Sequence, residues 1–134
     1  MSAERGRVTG IGGIFFKSAA PADGLAWYAR HLGIEPSGHF VGSVFPWRKA
    51  EEGGGDAMTI WSLFPQDTQY FGPPGGAEFM VNYRVDDLDA LLAKLTAAGV
   101  EVLPERQDSD FGRFAWIIDP DGRRVELWEP PEGM

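Results

Sequence analysis

The residues best suited to chemistry lie near the end of the chain, in the stretch GRFAWIIDPDGRRVELWEP, residues 112–130. The pattern predicts two strands joined by a tight turn, because Pro120 favours the first turn position and Gly122 can adopt a positive φ. A type I turn followed by a left-handed glycine gives a three-residue hairpin loop with a bulge. This hairpin places the carboxylate of Glu126 between bulky apolar residues, where an acid needs an explanation.

The register of the hairpin assigns its side chains to two faces. Counting back from the turn gives three cross-strand pairs: Ile117 with Val125, Trp116 with Glu126, and Phe114 with Trp128. One face is aliphatic and suits packing under a helix. The other is aromatic and carries one acid, Glu126, which is typical of the wall of a ligand cavity. A surface or dimer contact with a solvated Glu126 is the alternative.

Three roles are open to Glu126. It could transfer a proton, with a pKa raised by the surrounding rings. It could anchor a basic or hydroxyl-bearing ligand. It could also be an acid retained from an ancestral protein and paired with Arg84 or Lys17. The anchor and the retained acid are favoured over the catalytic role, because no second acid–base group is evident beside it.

The chain has two histidines. His31 lies in the last turn of a predicted helix, where a cationic side chain complements the helix dipole. His39 is expected to begin a strand and to face a cavity. An atypical metal site made of His39, Glu78 and Glu126 is an alternative to a chain without metal.

The elements that position these residues follow the order strand–helix–strands, twice. The predicted strands are 8–16, 38–49, 58–65, 77–85, a short strand in 100–107 that Pro104 ends, and the two strands of the hairpin. The predicted helices are 18–33 and 86–99, the second of them capped by Asp86. The helices end at Gly33 and Gly99, 66 residues apart, and Pro65 and Pro130 are 65 apart, which favours an internal duplication. Gly12 and Gly13 interrupt the first strand and indicate a bulge or a close approach of another chain segment.

The composition fits one domain covering residues 1–134, with 43% hydrophobic residues and a net charge of −8. The acidic balance excludes a typical nucleic-acid surface, which needs clustered basic residues. The absence of cysteine excludes disulfides and thiolate zinc sites. No secretory signal and no run of 18 apolar residues is visible, so a cytoplasmic protein without a membrane span is expected.

Two segments carry a family resemblance. VDDLDALLAKLTAAGVEV followed by GRFAWIIDPDGRRVELWEP resembles the second module of the vicinal oxygen chelate superfamily, and WYARHLGIEP resembles its first module. This superfamily contains glyoxalase I, bleomycin-resistance proteins, extradiol dioxygenases and fosfomycin-resistance enzymes. The resemblance implies an α+β fold of two βαβββ modules, about 8–65 and 77–130, forming a curved mixed sheet around a cavity. It also implies a homodimer.

In metal-using members of the superfamily, four strand positions hold His, Glu or Gln ligands. Aligned to this chain, they fall on Gly13, Trp61, Met80 and Glu126. One carboxylate among four positions is too few for a firm zinc or hard-cation site. The resemblance therefore implies a protein without the usual metal and with no other cofactor, a divalent metal at an atypical site being the alternative.

Strand alternation extends the expected cavity beyond Glu126. The predicted ligand-binding residues are Phe15, Trp61, Met80, Asn82, Phe114, Trp116, Glu126 and Trp128. Such a lining predicts a small aromatic or amphipathic ligand, held by stacking, in a protein of the bleomycin-resistance kind. The alternatives are a glyoxalase-like lyase or dioxygenase-like enzyme with an atypical metal site, and a cofactor-free isomerase using Glu126 as its catalytic residue.

Overall fold

A computed structural model of the chain describes residues 5–48, 57–73 and 76–132. Within them the elements are β1 Val8–Ser18, α1 Pro21–Leu32, β2 Gly42–Pro46, β3 Met58–Pro65, β4 Phe79–Val85, α2 Leu88–Ala97, β5 Val102–Ser109, β6 Gly112–Ile118 and β7 Arg124–Glu129. The strands are hydrogen-bonded in the order β2-β3-β1-β4-β7-β6-β5, with parallel and antiparallel pairs. The expected α+β class with a mixed sheet is confirmed.

The chain divides into two compact units. The first unit comprises residues 13–80, and the second unit comprises residues 1–12 and 81–134. Both β1 and β4 run across the division, at Gly12/Gly13 and Met80/Val81. No helix among the described residues has the length and apolar character needed to cross a lipid bilayer.

In the first unit, α1 lies against β3, which pairs parallel with β1 and antiparallel with β2. The helix begins at Pro21 rather than at residue 18, because proline suits the first helical turn, where its missing N–H is not needed. It ends as predicted at Gly33, which has a left-handed φ of 71°. The second strand is shorter than expected: β2 covers Gly42–Pro46, and residue 49 of the prediction lies outside the described residues.

In the second unit, the N-cap of α2 is Asp87, whose side chain accepts a hydrogen bond from the backbone N–H of Ala90 at 3.1 Å. The prediction of Asp86 as the cap is wrong. The Asp86 carboxylate instead accepts from the backbone N–H groups of Gly6 and Arg7, at 2.8 and 2.9 Å. An N-cap side chain accepts a hydrogen bond from a backbone N–H in the first turn of its helix. The Asp86 carboxylate instead binds backbone N–H groups near the start of the chain.

The aliphatic face predicted for the hairpin packs under α2, as expected. Val85, Leu88, Ala115 and Leu127 form the buried cluster, and Tyr83, Leu91, Leu92, Leu95, Ile117 and Val125 pack against it. Leu88, at the start of α2, has no exposed surface, and its backbone N–H donates to the Glu129 carboxylate at 2.7 Å. This contact fixes the start of α2 on the end of β7.

The hairpin register is confirmed pair by pair, including Trp116 opposite Glu126 and Phe114 opposite Trp128. Gly122 has the positive φ that the turn needs, 84°. Pro104, however, does not end β5. The strand continues to Ser109, and its pairing with β6 shifts register between Val102 and Arg106, around the proline that has no N–H to donate.

Candidate functional site

The second unit brings Glu126 to the centre of three strands. It lies opposite Asn82 in the parallel pair of β4 with β7 and opposite Trp116 in the antiparallel pair of β6 with β7. Its side chain points away from the aliphatic cluster under α2, on the surface that we call the aromatic face. The aromatic face consists of Asn82, Arg84, Phe114, Trp116, Glu126 and Trp128.

Glu126 is only 2% exposed, and two side chains hold its carboxylate. The Asn82 Nδ2 amide donates to Oε2 at 2.6 Å, and the indole Nε1 of Trp116 donates to Oε1 at 3.0 Å. A buried carboxylate is costly unless donors replace its lost hydration. These two contacts stabilise it and fix the direction in which its oxygens point.

Gly12 makes room for this arrangement, as the predicted close approach requires. A Cβ added at Gly12 would overlap the Oδ1 atom of Asn82, and it would lie 2.9 Å from Cε3 of Trp128 and 3.1 Å from Cγ of Arg84. Among the described residues, the buried Asn82 Oδ1 has no hydrogen-bond partner. Glycine at position 12 is therefore the residue that lets β1 pass over the polar end of the aromatic face.

A second set of contacts on the aromatic face surrounds Trp128. The guanidinium carbon of Arg84 lies 5.1 Å from the Trp128 ring centroid, a cation–π contact, and Phe114 stacks on Trp128 with centroids 6.0 Å apart and planes at 8°. The Trp128 indole donates to the carbonyl of Phe111 at 2.7 Å. Arg84 is 8% exposed, and burial lowers the pKa of its guanidinium.

Trp61 lies elsewhere than the sequence predicted. Its ring contacts Tyr28 of α1, with centroids 4.7 Å apart, so it belongs to the helix-covered face of β3. The residue of β3 in register with Phe15 is Ser62. Matching the halves through their terminal prolines displaced the comparison by one residue, and in a strand a one-residue shift moves a side chain to the opposite face.

Phe15 belongs to an aromatic cluster of the first unit that the sequence reading missed. It contacts Phe64, which stacks on Tyr70 with centroids 5.6 Å apart and planes at 6°. Phe71, 2% exposed, packs on Phe64 as well. The adjacent rings at positions 70 and 71, in a segment interpreted only as a connector, were the signal for this cluster.

The residues at the superfamily's metal positions do not fit a metal. Gly13 has no side chain, Trp61 faces α1, and Met80, 1% exposed, has only a thioether, which suits soft copper rather than zinc or hard cations. His39 is exposed and precedes β2 instead of beginning it. In residues 5–48, 57–73 and 76–132, no group of three or more His, Asp or Glu side chains is arranged to hold a metal ion.

A family model described as Glyoxalase/Bleomycin resistance protein/Dioxygenase superfamily matches residues 18–127. The chain belongs to this superfamily. The match covers both helices and most of the strands, and it confirms the family expected from the sequence. Membership gives the fold without fixing a reaction.

Comparison with individual proteins agrees with this assignment. Proteins named "Putative glyoxylase CFP32" from Mycobacterium bovis and Mycobacterium tuberculosis are 32% identical over 101 residues, 67% of this chain and 39% of their own length. Methylmalonyl-CoA epimerase from Mycobacterium tuberculosis superposes with a TM-score of 0.61 at 21% identity, covering 98% of this chain and 93% of that chain. A Streptomyces coelicolor methylmalonyl-CoA epimerase variant in complex with 2-nitronate-propionyl-CoA gives 0.64 at 17% identity, covering 95% and 98%. At these identities the solved structures show a shared fold.

Proposed function

We propose that this chain is a small-molecule binding protein of the superfamily that holds an aromatic or amphipathic ligand on the aromatic face without a metal. The observation that carries the proposal is the Glu126 carboxylate, oriented by Asn82 and Trp116 among aromatic rings. The chain is further proposed to act as a homodimer, as the family resemblance implies.

The aromatic face offers two kinds of interaction to such a ligand. The rings of Phe114, Trp116 and Trp128 provide flat apolar area, and each ring pair contributes about 0.5–1.5 kcal/mol beyond area burial. A carboxylate accepts about four hydrogen bonds, so a donor on a ligand can bind Glu126 alongside the amide of Asn82 and the indole of Trp116. A flat ring with one polar substituent satisfies both kinds of interaction.

The metal-dependent alternative, a glyoxalase-like lyase or a dioxygenase-like enzyme, needs ligands that the four family positions of this chain do not supply. Only Glu126 among the four family positions carries a hard oxygen donor, and one such donor is too few for a firm divalent-cation site. The names of the relatives, glyoxylase and methylmalonyl-CoA epimerase, describe those proteins. For this chain, the donor set supports binding without a divalent ion.

The burial of the aromatic face has a kinetic consequence. Glu126 is 2% exposed and Trp116 is 7% exposed, so a ligand reaches the carboxylate only after a local opening. Binding that requires such a change is slower than the usual protein association rates. Stopped-flow titration is therefore expected to show an observed rate that levels off at high ligand concentration.

The test combines native mass spectrometry of the purified chain with fluorescence titration of 2-naphthol, before and after treatment with EDTA. The expected result is a dimer without a stoichiometric divalent ion, and saturable binding that EDTA does not change. Glu126→Gln should weaken binding about ten-fold, because it removes the charged acceptor. Glu78→Gln, an exposed carboxylate of the first unit, is the matched control and should leave affinity unchanged.

Two results would overturn the proposal. A stoichiometric divalent ion whose removal abolishes binding would favour the metalloenzyme alternative. Absence of saturable binding for 2-naphthol and for related two-ring compounds would mean that the aromatic face is only a packed interior.

A further inference from the structure

The orientation of the Asn82 amide is fixed at both ends. Its Nδ2 lies 2.6 Å from Oε2 of Glu126, and its Oδ1 occupies the space over Gly12 that a Cβ would fill. Asn82 is 3% exposed, so solvent does not compete for either end. In the described part of the chain, Oδ1 has no hydrogen-bond partner, so the space over Gly12 is what accommodates it.

This orientation is tied to the acceptor role of Glu126. An asparagine amide can be turned by half a rotation, which exchanges its N–H donors and its carbonyl acceptor. The turned amide would place Oδ1 beside the Glu126 carboxylate, so that two acceptors faced each other in a buried site. The observed orientation suits a Glu126 side chain that accepts hydrogen bonds from both of its neighbours.

We propose that Gly12 is a positioning residue that makes the aromatic face selective for ligands carrying an O–H or N–H donor. By leaving space for Oδ1, Gly12 keeps the Asn82 amide N–H on Glu126 and keeps that carboxylate an acceptor. The inference rests on the proposed function and adds the ligand class: a flat aromatic ring bearing a hydrogen-bond donor. Ligands whose polar group can only accept are disfavoured, since they would meet a buried carboxylate without a proton between them.

The selectivity is measured with 2-naphthol, which has an O–H donor, and 2-methoxynaphthalene, which has the same rings and no donor. Wild type should bind 2-naphthol at least about ten-fold more tightly than 2-methoxynaphthalene, because one hydrogen bond to a charged group contributes an affinity difference of that size. Gly12→Ala should remove this preference, because it should weaken the binding of 2-naphthol more than that of 2-methoxynaphthalene. Gly24→Ala, whose Cβ would meet only the side chains of Leu63 and Ser18, is the matched control and should keep the preference.

A second variant guards against misfolding of Gly12→Ala. Asn82→Ala removes the amide itself and should abolish the same preference. In urea unfolding, the double variant Gly12→Ala/Asn82→Ala should be more stable than the sum of the single effects predicts, because the overlap between the new Cβ and Oδ1 is gone. Part of the cost should remain, since the Trp128 ring also lies 2.9 Å from that position.

The outcomes separate the two proposals. If both naphthalene compounds bind wild type equally and Gly12→Ala changes neither, donor selectivity is wrong while ligand binding stands. If neither compound binds, the proposed function fails, and the positioning role is then decided by the unfolding cycle alone. Strict additivity of the Gly12 and Asn82 substitutions would overturn that role in either case.

Discussion

The buried carboxylate gives the sharpest test of the structure through Trp116. Trp116→Phe removes the indole N–H that lies 3.0 Å from Oε1 of Glu126 and keeps an aromatic ring at this position. Both side chains are buried, at 7% and 2% exposure, so water does not readily replace the lost donor. The variant therefore leaves a carboxylate oxygen in the interior with one donor fewer.

The magnitude follows from the charge of the acceptor. A hydrogen bond to a charged group contributes about 1.5–3 kcal/mol to the free energy of unfolding, against about 0.5–1.5 kcal/mol for a neutral pair. Trp128→Phe loses a comparable ring volume, but its indole donates to a neutral carbonyl, that of Phe111. It should therefore cost about 1 kcal/mol less than Trp116→Phe through its hydrogen bond. Trp47→Phe removes an exposed contact with Thr59 and should cost under about 0.5 kcal/mol.

The assay is urea unfolding followed by circular dichroism, which does not depend on the substituted tryptophan. The shift of the midpoint, multiplied by a common slope, gives the change in the free energy of unfolding. A loss for Trp116→Phe no larger than that for Trp47→Phe would refute the buried, charge-assisted contact.

Two further predictions concern the start of α2. Asp87→Ala should destabilise the chain by about 1 kcal/mol in urea unfolding, because it removes the N-cap acceptor of Ala90, whereas Asp87→Asn should retain most of the stability. The pKa of Asp86 is lowered, first by the backbone N–H of Arg7, so its contribution is present above the usual aspartate pKa of about 3.9 and is lost as the pH falls through the lower folded value. Asp86→Asn should flatten the acid limb of the stability profile; an unchanged limb would assign it to other carboxylates.

Features of local structure could be predicted from the sequence wherever the residues that determine them are neighbours in the chain. The turn at Gly122, the pairing of Trp116 with Glu126 and the stop of α1 at Gly33 each depend on a few adjacent residues. The aliphatic and aromatic faces of the hairpin follow from strand alternation once the turn is fixed. The family could be named from the same segments, because they also carry its most specific motifs.

Other features depended on contacts that join distant parts of the chain. Asp86 and Asp87 are the same residue type, so the sequence does not show which of them caps α2. In the folded chain the backbone N–H groups of Gly6 and Arg7 bind Asp86, and Asp87 is the cap. Trp61 was predicted on the wrong face of the sheet, because the comparison of the two halves was displaced by one residue. Side chains alternate along a strand, so a displacement of one residue assigns a side chain to the opposite face.

The sequence by itself determined that an acid would stand among rings on one side of a hairpin, since register and alternation are local properties of the backbone. Only the tertiary structure decided what surrounds that acid. Asn82 lies 44 residues from Glu126 in the chain, and Gly12 comes from the opposite end. Whether a buried carboxylate is oriented, ionised and useful depends on which donors the fold brings to it, and no pattern along the strand contains that information.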